Sequence, residues 1–145
     1  MGEIGTGDGA GSVRSLRILV AEDNHVNQVV LLAILSKSEH KVDMVANGLE
    51  AVSAAKQAPY DLILMDIMMP EMDGMTATRN IRNLPGEIGQ VPIIALTANA
   101  MKGDREKYLD AGMSDYLSKP VTPEKVLAMI GKWAARIPGW RSPSR

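Results

Sequence analysis

Apolar residues along this chain fall into two rhythms. Short unbroken runs (Ile18-Leu19-Val20, Ile63-Leu64-Met65 and Val91 to Leu96) alternate with longer stretches in which apolar positions recur every three or four residues. The unbroken runs predict strands covered on both faces, and the spaced ones predict helices packed on one side. Arg17 to Ala21 is the first strand, and Asn24 is a plausible cap for a helix ending near Ser38, with Val26, Val29, Val30, Ala33 and Leu35 as its apolar stripe. Val42 to Ala46 is a more polar strand, suited to a sheet edge. Asn47 followed by Glu50 is a capping pattern for a helix with Leu49, Val52 and Ala55 on one face, stopped by Pro59.

The third strand runs through Leu62 to Asp66, and Asp73 caps a helix to Asn83 that Leu84-Pro85-Gly86 breaks. Val91 to Leu96 leads into Thr97, and a weakly apolar helix from Lys102 to Ala111 stops at Gly112. Tyr116-Leu117-Ser118 ends in Lys119-Pro120, and Thr122-Pro123 opens a last helix with the stripe Val126, Met129, Ile130, Trp133 and Ile137. Five strands alternating with five helices imply a parallel sheet with right-handed crossovers. Residues 1–15 are glycine-rich and predict a flexible leader or linker, residues 16–137 form one domain, and residues 138–145 predict a frayed tail.

Composition narrows the picture chiefly by exclusion. A formal net charge of -1 on 145 residues gives no sign of a nucleic-acid or membrane-surface partner. With no cysteine, disulfides and thiolate metal sites are ruled out. No apolar stretch approaches the roughly 18 residues of a membrane helix, and the N-terminus lacks a signal-peptide core, so a cytoplasmic protein is expected. Ten methionines and no phenylalanine predict an aliphatic and thioether core.

The chemistry lies where the strands stop. In a parallel sheet all carboxyl ends share one edge, so Glu22-Asp23, Asp66, Thr97 and Lys119 should converge there. Carboxylates crowded together repel unless a cation neutralises them, and an all-oxygen set suits a hard ion, Mg²⁺ above all. Asp23 and Asp66 would be direct ligands, Glu22 a direct or water-bridged one, and the backbone carbonyl of Met68 would complete the set. A carboxylate can attack phosphorus and form an acyl phosphate, with a lysine and a hydroxyl stabilising the transferring oxygens. Asp66 is the expected phosphoacceptor, with Lys119 and Thr97 in those two supporting roles. His25, in the first helical turn, reads as exposed, and Met65, Met68, Met69 and Met72 as core and loop filler. The charged run from Lys102 to Lys107 reads as a solvated helix face.

Four segments together resemble a family. Ile18-Leu19-Val20-Ala21-Glu22-Asp23-Asn24, Met65-Asp66-Ile67-Met68-Met69-Pro70-Glu71-Met72-Asp73-Gly74, Pro92-Ile93-Ile94-Ala95-Leu96-Thr97-Ala98 and Asp115-Tyr116-Leu117-Ser118-Lys119-Pro120 are similar, in order and spacing, to receiver domains of two-component response regulators. The wording of Asn24 with Asn27-Gln28, Leu96-Thr97-Ala98-Asn99-Ala100-Met101 and Gly112-Met113-Ser114-Asp115-Tyr116 is similar to receivers of hybrid sensor histidine kinases, and the flexible start suits a piece excised from a larger protein or a free-standing receiver. The resemblance implies a flavodoxin-like (βα)5 fold, doubly wound, with strand order 2-1-3-4-5. It implies phosphoryl transfer to Asp66 from a histidine kinase or histidine phosphotransfer domain, slow self-hydrolysis, and a monomer or weak dimer. It also implies a switch in which Thr97 moves to the phosphoryl group and Tyr116 turns inward. Glu22 departs from the aspartate common in the family, which bears on how it meets the metal.

Two other functions share parts of this pattern. A Mg²⁺-dependent aspartyl-phosphate hydrolase would want an acid two residues after its nucleophile, where this chain has Met68. A flavodoxin-like FMN carrier would want a phosphate-cradling loop after the first strand, where Glu22-Asp23 would repel phosphate.

Overall fold

The computed structural model describes residues 15–98 and 101–137. All but Ser15 of the expected leader, the tail beyond Ile137, and Asn99-Ala100 of the resembling segment lie outside the described residues. Five strands, β1 (Arg17–Ala21), β2 (Lys41–Val45), β3 (Leu62–Asp66), β4 (Ile93–Thr97) and β5 (Asp115–Ser118), form one sheet in the order β2-β1-β3-β4-β5. Every pairing is parallel, with Ala21 opposite both Val45 and Met65, Asp66 opposite Leu96, and Thr97 opposite Ser118. The helices are α1 (His25–Ser36), α2 (Gly48–Gln57), α3 (Gly74–Arg82), α4 (Lys102–Asp110) and α5 (Pro123–Ala134). A short 3-10 turn, Glu87–Gln90, follows the Leu84-Pro85-Gly86 break and was not expected from local pattern.

Alternation along the buried strands sorts the core into two layers. Leu19, Ile63, Met65, Ile93 and Ala95 face α2, α3 and α4 through Ala51, Ala55, Ala77, Ile81 and Tyr108. Ile18, Val20, Leu62, Leu64, Ile94 and Leu96 face α1 and α5 through Leu31, Ile34, Leu35, Val126 and Ile130. All five residues of β3 and of β4 are buried, as strands covered on both faces should be, while β2 and β5 are the more exposed edges. Truncating a central residue such as Leu64, fully buried, would cost about 2–5 kcal/mol.

The expected caps are in place. Asn24, Asn47, Asp73 and Thr122 each accept a hydrogen bond from the backbone N–H three residues on. Glu50 reaches back to the Ala46 N–H at 2.8 Å, completing a reciprocal arrangement at the start of α2.

Two expected helix faces are corrected. On α1 the residues turned to the sheet are Leu31, Ile34 and Leu35, and Val26, Val29, Val30 and Ala33 are exposed. The helix carries two apolar stripes of the same spacing, and only Leu31, Ile34 and Leu35 join the core layer of Ile18, Val20 and Leu64. On α2 the buried positions are Gly48, Ala51 and Ala55, so Leu49 points outward. Small residues face inward there because α2 packs closely on the loop after β3, where Gly48 N–H donates to Met72 O at 3.0 Å. Among the described residues no helix is long and apolar enough to cross a membrane.

Candidate functional site

β1 delivers Glu22 to the rim. Its backbone N–H donates to Val45 O at 3.0 Å, and its side chain is fully buried. Oε2 accepts from the Asn24 N–H at 3.1 Å, and the Gln28 side chain donates to the Glu22 carbonyl at 2.6 Å. Oε1 is buried and accepts no hydrogen bond. Asp23, the next residue, is exposed at the mouth of the site.

β3 delivers Asp66, 3% exposed, as its last residue. The Met68 N–H turns back toward Oδ1 at 3.4 Å, and the Met68 side chain projects into solvent. The loop then closes on itself through Met72 N–H to Pro70 O at 2.7 Å and Gly74 N–H to Ile67 O at 3.0 Å. A Cβ on Gly74 would run into the carbonyl oxygen of Asp66, so only glycine lets α3 start this close to the carboxylate strand. Glu71 sits in the left-handed region at φ 68°, unusual for a residue with a side chain.

Lys119 closes the cluster from beyond β5, where its N–H donates to Thr97 O at 2.8 Å. Its ammonium lies 3.1 Å from Asp66 Oδ2 and 3.4 Å from Glu22 Oε1. One ammonium thus faces two buried carboxylates. Burial, reinforced by the neighbouring Glu22, pushes the Asp66 carboxyl up to about 7, although Lys119 pulls the other way. Burial alone would lower the Lys119 ammonium, but Asp66 and Glu22 outweigh it and hold it above its ordinary range.

Ligand atoms of Glu22, Asp23 and Asp66 lie within 4.8 Å of one another. A hard divalent cation fits this set. The donors are all carboxylate oxygens, the negative charge exceeds what Lys119 supplies, and Glu22 Oε1, buried with no hydrogen bond, has only the Lys119 ammonium beside it at 3.4 Å among the described residues.

Thr97 ends β4 one residue past the register partner of Asp66 and is buried. Its hydroxyl lies 2.7 Å from the hydroxyl of Tyr108, a buried residue of α4 that the sequence pattern did not single out. Tyr116 is half-buried on β5, and its hydroxyl accepts from Arg105 at 2.7 Å while the guanidinium lies over its ring, 5.6 Å from the centroid. The run from Lys102 to Lys107, expected as a solvated face, therefore supplies Arg105 to Tyr116. His25 is exposed, Met65 is core, and Met69 and Met72 pack half-buried against it.

Sheet order and rim define the class: a flavodoxin-like α/β protein whose strand ends assemble an acidic, cation-suited pocket beside a lysine. The profile of the response regulator receiver domain matches residues 18–131, and the chain belongs to that family. It is 46% identical over 112 residues to the signal transduction histidine-protein kinase BarA of Escherichia coli K12, covering 77% of this chain and 12% of the kinase. It is 43% identical over 124 residues to hybrid signal transduction histidine kinase G of Dictyostelium discoideum, covering 84% of this chain and 4% of the kinase. The chain therefore spans only a small part of these curated relatives.

Among solved structures it resembles the receiver domain of sensor histidine kinase PA1611 from Pseudomonas aeruginosa, which has a magnesium ion coordinated in its active-site cleft. That likeness has a TM-score of 0.76 and 47% identity, covering 83% of this chain and 98% of that one. It also resembles a chain of the Saccharomyces cerevisiae co-crystal of the histidine phosphotransfer protein Ypd1 with the receiver domain of Ssk1. There the TM-score is 0.79 and the identity 32%, covering 86% of this chain and 92% of that one.

Proposed function

We propose that this receiver domain is a phosphorylation-controlled switch that takes a phosphoryl group from a phosphohistidine onto Asp66. The observation that carries the reading is the setting of Asp66: buried at the end of the central strand, 3.1 Å from Lys119 Nζ and beside Glu22 and Asp23.

In this mechanism an Asp66 carboxylate oxygen attacks phosphorus, an O–P bond forms, and the N–P bond to the donor imidazole breaks. The imidazole leaves with the bonding pair and takes a proton from solvent. Glu22, Asp23, Asp66 and the Met68 carbonyl would hold Mg²⁺. When bound, that ion neutralises charge on the transferring oxygens and on the crowded carboxylates. Lys119 donates to a phosphoryl oxygen, and the Thr97 hydroxyl comes round to another. Tyr116 then turns inward, and the surface of α4 and β5 changes. Met68, two residues after Asp66, has no proton to give or take, so the acyl phosphate should hydrolyse slowly. The domain thus acts on itself and is not a turnover enzyme.

The partner is a histidine kinase or histidine phosphotransfer domain, by analogy with the hybrid kinases and the Ypd1 co-crystal. Such a donor must cover the rim to bring its phosphohistidine to Asp66. α1 starts at that rim and presents Val26, Val29 and Val30 to solvent, and a cleft lined by Glu22, Asn27, Val30, Lys119 and Val121 joins this face to the site. The exposed stripe is then the seat of the donor helices.

Incubation with acetyl phosphate and Mg²⁺ should add one acid-stable, base-labile phosphoryl group per chain, absent from Asp66→Asn. Uptake that persists in the Asn variant, or hydrolysis of a generic phosphate ester many times per second, would overturn the reading. Val30→Asp should slow transfer from a phosphorylated histidine protein while leaving uptake from acetyl phosphate intact.

A further inference from the structure

α4 is the least apolar helix of the fold: of its nine residues only Tyr108 and Leu109 are large and apolar, and Leu109 is half exposed. Tyr108 is what anchors it. Its ring is 5% exposed and belongs to the core layer of Ile93, Ala95 and Met113. Its carbonyl accepts from the Met113 N–H at 3.1 Å while Gly112, at φ 105°, donates to Leu109 O at 3.0 Å. That pair of bonds closes the helix end in a fixed geometry.

The hydroxyl of this anchored ring lies 2.7 Å from the Thr97 hydroxyl. Strand alternation puts Thr97 on the face of Ile93 and Ala95, toward α4, and Asp66 on the face of Leu62 and Leu64, toward α1 and α5. A hydroxyl that is to serve a phosphoryl group on Asp66 has to come round the rim. Threonine is β-branched and has few side-chain rotamers, and the one seen here sets its oxygen within hydrogen-bonding distance of Tyr108. Both partners are buried, so separating them gives up a hydrogen bond made away from water. One turn earlier on the same face, Arg105 holds the Tyr116 hydroxyl at 2.7 Å. α4 therefore grips both side chains of the expected switch.

We propose that the Tyr108 hydroxyl is a latch that holds Thr97 toward α4 in the resting state and is released when Thr97 engages the phosphoryl group. The proposal rests on the reading of Asp66 as phosphoacceptor and deepens it: Tyr108 is a positioning residue that sets how readily the switch turns. Losing the bond to Thr97 frees α4 to shift, and Arg105 carries that shift to Tyr116.

The test is Tyr108→Phe, which keeps the buried ring and deletes only the hydroxyl. Beryllofluoride with Mg²⁺ serves as the phosphoryl mimic, followed through the Thr97 amide by NMR. Removing a bond made only in the resting state should lower the beryllofluoride needed for half-saturation by about two- to tenfold. The Thr97 amide of the mimic-free variant should already be displaced toward its bound position. In the wild type, the Tyr108 ring resonances should move when the mimic binds. An equal or weaker affinity in the variant overturns the latch, as does a lowered melting temperature with unchanged affinity, or a Tyr108 ring that does not respond in the wild type. A wild type that binds no beryllofluoride at all counts instead against Asp66 as phosphoacceptor.

Discussion

Two clusters among the described residues hold a cation away from bulk water, and they are built to opposite specifications. At the far end of α3, the half-buried Arg82 guanidinium donates to Gly112 O at 2.8 Å, to Gly89 O and Val91 O at 3.0 and 2.7 Å, and to Ser114 Oγ at 3.3 Å. All its acceptors are neutral, and burial lowers its affinity for its proton without coming near to removing it. At the carboxyl rim, Lys119 faces two carboxylates, one of which keeps an oxygen with no hydrogen bond. The first cluster is complete and ties α3 to the loops before β4 and β5. The second is left in deficit of positive charge, which is the condition for binding something. A satisfied polar cluster reads as structure, and a frustrated one reads as a site.

Removing each cation should separate the two most sharply. Lys119→Met leaves Glu22 and Asp66 facing each other without any counter-charge. The metal-free domain should lose about 3–5 kcal/mol at pH 8, with most of it restored by millimolar Mg²⁺. Arg82→Met strands three carbonyls and a hydroxyl and should cost about 2–3 kcal/mol, with no restoration by Mg²⁺ and normal phosphoryl uptake by the folded fraction. Denaturant melts with Mg²⁺ and with chelator read both. If Mg²⁺ rescues the two variants alike, the distinction between the clusters is wrong.

The deficit at the rim also predicts a pH dependence. Asp66 carries a folded pKa of about 7 against an ordinary value near 4, so its carboxyl is protonated in the fold where the unfolded chain has already ionised it. A raised pKa contributes stability below the unfolded value and loses it as pH climbs toward 7. The metal-free wild type should therefore lose about 2 kcal/mol relative to Asp66→Asn between pH 5 and pH 7. Mg²⁺, which prefers the ionised carboxylate, should flatten that difference. A difference that stays constant with pH in chelator would mean that Asp66 is not strained by its neighbours.

Much of this layout is legible in the sequence, and the division between what is and what is not has a physical cause. Strands and caps are local. Leu62 to Asp66 is apolar because both faces are covered, and Asn24, Asn47, Asp73 and Thr122 bond to N–H groups three residues away. The convergence of Glu22, Asp23, Asp66 and Lys119 follows from parallel strand direction alone. The face of α1 does not follow from spacing, because Val26-Val29-Val30 and Leu31-Ile34-Leu35 repeat alike and only the tertiary fold decides which is covered. Nor does the Thr97–Tyr108 pair, where a tyrosine in a charged, weakly periodic helix gives no sign of its partner. The Arg82 cluster is invisible for the same reason, since its acceptors lie 7 to 32 residues away.

The smallest of these effects probes whether the Arg82 cluster is as complete as it looks. Ser114 accepts from Arg82 Nη2 at 3.3 Å and from the Ile93 N–H at 3.1 Å, so its hydroxyl serves both the guanidinium and the start of β4. Ser114→Ala removes the weakest of the four Arg82 contacts and leaves one strand-end N–H to find another acceptor. The expected cost is about 1 kcal/mol, with phosphoryl uptake and Mg²⁺ response unchanged. Combined with Arg82→Met, the loss should fall short of the sum of the two, because the single variants share one hydrogen bond. Strict additivity would mean that Ser114 works for β4 alone, and the guanidinium would then rest on its backbone carbonyls.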